Sequence, residues 1–235
     1  MAVNIAGYNR PFGLRPFRNL AGGVNPIARR VAITSATHCL LAGDPVRIET
    51  GGTVKRFATA ATLAEENPFG VVVGVYNSNK RPLTHNTGGP FLNQGEKGYV
   101  DVVPFTPNQT FLVALGQLVS ASTRTLDYIG TRVAFGISSI SEPTSNAANA
   151  TLMGVSMFCV NETTVAPVFT MGATVSAAEY NAYRKYPGQV IGVPAGGVDV
   201  GENRFLNELT DDTISLVEVV VDGIFNNTLS TRLPL

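Results

Sequence analysis

From residue 30 onward, short apolar and β-branched runs closed by Gly, Pro, Asn or Asp recur along the chain. VAIT (31–34), DPVRI (44–48), TVKRF (53–57), GVVVGVY (70–76), YVDVV (99–103) and FLVAL (111–115) either alternate apolar with polar positions or run continuously apolar. Those are the patterns of half-buried and doubly buried strands. The rhythm continues in GQLVSAS (116–122), TRVAFGIS (131–138), TLMGVSMFCV (151–160), QVIGV (189–193) and residues 214–221, where Glu218 is the only charge. So apolar a last strand is either central in a sheet or paired with another chain. Glu49 to Gly52 separates two of the runs as a hairpin turn. Helical punctuation marks only residues 176–185, with Ser176 as cap, Glu179 three residues on and Pro187-Gly188 as the stop. The pattern predicts an all-β body, a barrel or sandwich, in two β lobes meeting near residues 104–116 and with one short helix.

Residues 1–28 read differently. Pro11, Pro16, Pro26 and the Gly22-Gly23 pair exclude a continuous helix, because each proline removes a donor and biases its predecessor toward extended backbone. This segment is read as an extended basic arm, followed by a β body over 29–160 and a C-terminal β extension over 161–235 that holds helix 176–185. Tyr8, Phe12 and Phe17 interleave with Arg10, Arg15 and Arg18. That suits lying along a protein neighbour better than binding nucleic acid, for which so few cations supply little counterion release. Residues 77–97 and 141–150, rich in Asn, Gly, Ser and Pro, read as long exposed loops.

Charge sharpens the division. The 235 residues carry 17 basic and 17 acidic side chains, only 14% of the chain, against roughly 25% in an average domain. Five arginines and no acid fall in residues 1–43, which leaves 12 basic and 17 acidic residues beyond them, a net of −5. A sparsely charged surface of zero net charge does little to keep molecules apart. The N-terminus has no basic-then-apolar leader and no run reaches 18 apolar residues, so the expectation is a chain made in the cytoplasm and bound to no membrane.

Reactive chemistry is scarce. Cys39 and Cys159 lie in apolar runs far apart, read as buried free thiols. His38 and His85 are the only histidines, and the strand geometry around His38 turns it away from Cys39. Glu65-Glu66 and Asp211-Asp212 are adjacent acids in polar turns, and the glycine-rich 196–201 lacks the Lys-Ser/Thr of a phosphate loop. No catalytic residue, metal site or cofactor is assigned.

Phe12-Gly13-Leu14-Arg15-Pro16-Phe17-Arg18-Asn19-Leu20-Ala21-Gly22-Gly23, then Leu41-Ala42-Gly43-Asp44-Pro45-Val46 and Gly70-Val71-Val72-Val73-Gly74-Val75, resembles the capsid decoration (cement) proteins of tailed bacteriophages. The resemblance spans residues 11–160; 161–235 has no counterpart in it. It implies a non-enzymatic virion protein on the capsid exterior, assembled in the host cytoplasm, partnered by the major capsid protein and by itself as a homotrimer, with no direct nucleic-acid contact. Arg10, Phe12, Arg15, Phe17 and Arg18 are then the expected capsid-binding residues, and a chain lacking 1–28 is expected to fold but not bind. Two rivals stand beside it. One is a phage tail, baseplate or host-receptor protein reading glycans through loops 77–97 and 141–150. The other is a small β-fold hydrolase, which the missing motif and the scarce histidines disfavour.

Overall fold

The computed structural model describes residues 13–22, 27–36, 39–49, 51–56, 68–84, 90–114, 128–137, 156, 158–162, 188–193 and 216–221. Helix 176–185, the run 116–122, both histidines and the arm up to Phe12 lie outside them. The described residues are all β, with no α-helix among them.

The described residues form thirteen strands in chain order: β1 Arg15–Asn19, β2 Arg29–Ile33, β3 Leu40–Leu41, β4 Pro45–Ile48, β5 Val54–Arg56, β6 Pro68–Asn77, β7 Phe91–Leu92, β8 Gly98–Pro104, β9 Gln109–Ala114, β10 Arg132–Ile137, β11 Phe158–Glu162, β12 Gly188–Gly192 and β13 Leu216–Val221. They form three antiparallel sheets: five strands in the order β2-β8-β6-β4-β5, six in the order β1-β9-β13-β12-β10-β11, and the small pair β3-β7. The end strands β2 and β5 of the first approach each other, and β11 of the second approaches β9, so both sheets curl. The chain passes from the first to the second between Pro104 and Gln109, inside the span where two lobes were expected to meet.

The burial pattern of β8 shows how sequence becomes packing. Tyr99 and Asp101 are half-buried while Val100 and Val102 are inaccessible, the alternation of a strand with one wet face. At Val103 the alternation stops, because there the outer face of the five-stranded sheet is covered by the six-stranded one. Val103 joins Val71, Leu14, Phe105, Phe111 and the inward valines of β9 to β13 in the larger core. The inner face of the five-stranded sheet encloses a second core with Val46, Val72, Val75, Val100 and Val102. In β6 the adjacent Val71 and Val72 therefore serve different cores, which explains the continuous apolar run there. A bulge between Val72 and Gly74 restores the alternation.

The three quoted motifs converge on one junction between the sheets. Leu14 N–H donates to the Gly43 carbonyl at 2.9 Å, Gly43 N–H to Val72 at 2.7 Å, and Val72 N–H to Asp44 at 3.0 Å. Gly13 and Gly43 both have positive φ, and a Cβ built on Gly13 would stand 2.6 Å from Cβ of Ser156. Only glycine permits both that backbone and that approach. Asp44 is buried at the centre, accepting from the Leu41 amide at 2.9 Å and from the Ser156 hydroxyl. Desolvation raises its pKa, opposed by the charge of Arg56 and by these hydrogen bonds.

β13 turns out to be central. It pairs with β9 on one side and β12 on the other, so of the two readings of this apolar strand the first holds, and it offers no edge to a neighbouring chain. The long loop expected at 77–97 is partly structured: Tyr76 bridges Pro82, and Phe91–Leu92 pairs with Leu40–Leu41 above Cys39, a buried free thiol.

Candidate interaction surface

The arm residues that the structure describes are part of the body. Arg15–Asn19 forms edge strand β1, paired along one side with β9 in a register broken between Pro16 and Asn19. At the break the Thr110 hydroxyl replaces a backbone partner, accepting from Arg18 N–H at 3.3 Å and donating to the Arg18 carbonyl at 3.1 Å. Leu20 N–H then donates to Asn108 at 2.7 Å, and Asn19 closes the turn that follows. A proline and two arginines on an edge strand guard it against indiscriminate strand addition. Contact with a partner then falls to the side chains.

Of the five expected capsid-binding residues, Arg10 and Phe12 lie outside the described residues. Arg15 and Phe17 are exposed on β1, Phe17 by 39%. Arg18 is also exposed, but its guanidinium is engaged: Nε donates to Oε1 of Glu218 and Nη2 to Oε2, both at 2.7 Å. Glu218 is 1% exposed on the central strand β13, and Arg18 reaches it across β9. This forked pairing raises the pKa of Arg18, chiefly through the hydrogen bonds and then through the charge of Glu218. The lone acid noted in the last strand is thus the anchor of the arm, and Arg18 is first of all the residue that fastens β1 to the sheet.

A second polar constellation lies on the open half of the five-stranded sheet's outer face. Arg30 on β2 donates from Nε and Nη2 to the two carboxylate oxygens of Asp101 on β8, at 2.8 and 2.9 Å. The Tyr76 hydroxyl donates to the same carboxylate at 2.7 Å, and the guanidinium of Arg30 lies 3.9 Å from the Tyr76 ring centroid. The hydrogen bond from Arg30 holds the Asp101 carboxyl below its usual range, and donation to Asp101 raises the Tyr76 phenol. Beside them Lys80 sits 5.5 Å from the Tyr99 centroid. Sequence reading missed this group, since its members are scattered over 71 positions; the polar position of Asp101 inside YVDVV was the one available signal.

Among the described residues no group of three or more His, Cys, Asp or Glu is placed to hold a metal ion, and no helix is long and apolar enough to cross a membrane. No protein-family profile, curated protein or solved structure matches this chain.

Proposed function

We propose that the chain is a capsid decoration protein of a tailed phage, a virion structural component that binds the outer surface of the head and reinforces the shell against the pressure of packaged DNA. The observation that carries this reading is β1. Its arginine- and phenylalanine-bearing segment is held as a rigid edge strand, with Arg15 and Phe17 outward and Arg18 latched to a buried acid. A backbone held in this way has little conformational entropy left to lose on docking. Arg15 brings an exposed positive charge to carboxylates of the major capsid protein and Phe17 an apolar anchor. Repeated over a homotrimer, such modest contacts add through effective concentration. The protein works by position on the capsid exterior, after assembly in the host cytoplasm, without catalysis, cofactor, membrane or direct nucleic-acid contact.

The test is co-sedimentation of the chain with phage heads that lack it. An Arg15→Glu, Phe17→Ala double variant, both positions exposed, is expected to unfold cooperatively as the wild type does and to bind heads about tenfold or more weakly. Wild-type binding by a folded double variant contradicts the role given to β1.

A further inference from the structure

We infer that the outer face built from Arg30, Tyr76, Tyr99 and Lys80 is a second docking surface for the same shell, and that it receives an acidic patch of the capsid protein. This rests on the capsid reading above, but on different residues from the arm.

The face is organised beyond what folding requires. Tyr76 and Tyr99 stand opposite each other in the β6-β8 register, on a face where Gly74 pairs with Asp101 and the exposed Ala32 with Tyr99. The small neighbours leave the rings room: a Cβ on Gly74 would come within 3.2 Å of the Tyr76 ring. Arg30 is 42% exposed by its side chain, yet it is stacked on Tyr76 and clamped by Asp101. Its exposed edge can donate to a second carboxylate with the guanidinium plane already set. Stacked, preordered arginines and tyrosines are the residues that dominate protein interfaces.

Lys80 adds an independent sign. Among the described residues it is the one non-glycine with positive φ, at 61°, a conformation that glycine or asparagine adopts more easily. The turn that imposes it is held by Asn77, whose side-chain oxygen accepts from the amides of Asn79 and Arg81 at 3.0 Å and whose carbonyl accepts from Lys80 at 2.9 Å. Strain retained in a lysine at a site suited to glycine points to a use for the ammonium group.

Charge selects the occupant. Exposed Arg81 and Lys97 flank the same end of the sheet, so with Arg30 and Lys80 four cations stand against two acids, Asp101 paired to Arg30 and Glu96 accepting from the Asn93 amide. The face is therefore locally positive on a chain of zero net charge. Four dispersed cations are few for a nucleic-acid track, and the forked Arg30 clamp already displays carboxylate geometry.

The experiment uses full-length Lys80→Gly and Arg30→Gln chains, each measured for melting temperature, for co-sedimentation with heads lacking the chain, and for binding to a duplex DNA oligonucleotide. Lys80→Gly is expected to melt at or above the wild-type temperature while binding heads about fivefold or more weakly, and Arg30→Gln to weaken head binding further, about tenfold. A lysine with a merely structural role would instead lower the melting temperature and leave head binding alone. Wild-type head binding by both variants overturns this inference and spares the arm. Tight DNA binding that both variants lose, with head binding unchanged, replaces the acidic protein by nucleic acid. Failure of the wild-type chain to sediment with heads overturns the capsid reading, and this inference with it.

Discussion

A chain cut to begin at Arg29 is expected to lose its cooperative thermal transition. The reason lies in what residues 13–22 do for the body. Leu14 is 1% exposed in the larger core, and deleting a leucine in such a position costs on the order of 2–5 kcal/mol. That alone is a large part of the 5–15 kcal/mol that usually holds a domain together. The same cut removes the partner of β9 and leaves the buried Glu218 without the guanidinium that compensates its charge. Circular dichroism during heating of this chain beside the full-length one checks the point. A sharp transition near the wild-type temperature in the shorter chain would show that β1 is dispensable. The expectation reverses the one drawn from sequence, in which all of 1–28 was a detachable arm. A clean test of shell binding must therefore change Arg15 and Phe17 in place.

The second large effect is expected at Phe105. It is inaccessible to solvent, lies on the crossing between the two large sheets, and has its N–H bonded to the carbonyl of Phe69 at 2.9 Å. Its ring meets Phe111 edge-on at 5.0 Å between centroids and stacks near Phe135 at 6.1 Å. Phe105→Ala removes these contacts and opens a cavity where the sheets join, at a cost of roughly 3–5 kcal/mol. Urea unfolding should show a lower midpoint at nearly constant slope, the product of midpoint shift and slope giving that loss. A loss under about 1 kcal/mol would mean that the lobes do not depend on this junction.

Sequence patterning carried most of the strands because their periodicity reports burial. YVDVV and GVVVGVY lie along strands that are wet on one face at one end and covered on both at the other, and the text of each run reflects it. β1 escaped because RPFRN is an edge strand with exposed side chains and a proline, so it has no apolar period to display. The pair β3 and β7 is two residues long on each side, too short for a period to repeat. The candidate surfaces were less legible still. Arg18 and Glu218 are 200 positions apart, and Arg30 and Asp101 71, so nothing local in either segment announces the pairing. What could be read was an anomaly, the lone acid in an apolar strand, and its explanation needed the fold. The reverse holds for Gly13, Gly43 and Asp44. The motif resemblance singled them out, and the structure gives them an architectural task at the junction of the sheets.

The most direct measurement is a cryo-electron microscopy reconstruction of phage heads with and without the chain. Projecting density is expected on the outer surface in the first and its loss in the second, with the β1 edge and Arg15 against the shell. A bare head, with the chain located in the tail or absent from the particle, would contradict the capsid reading.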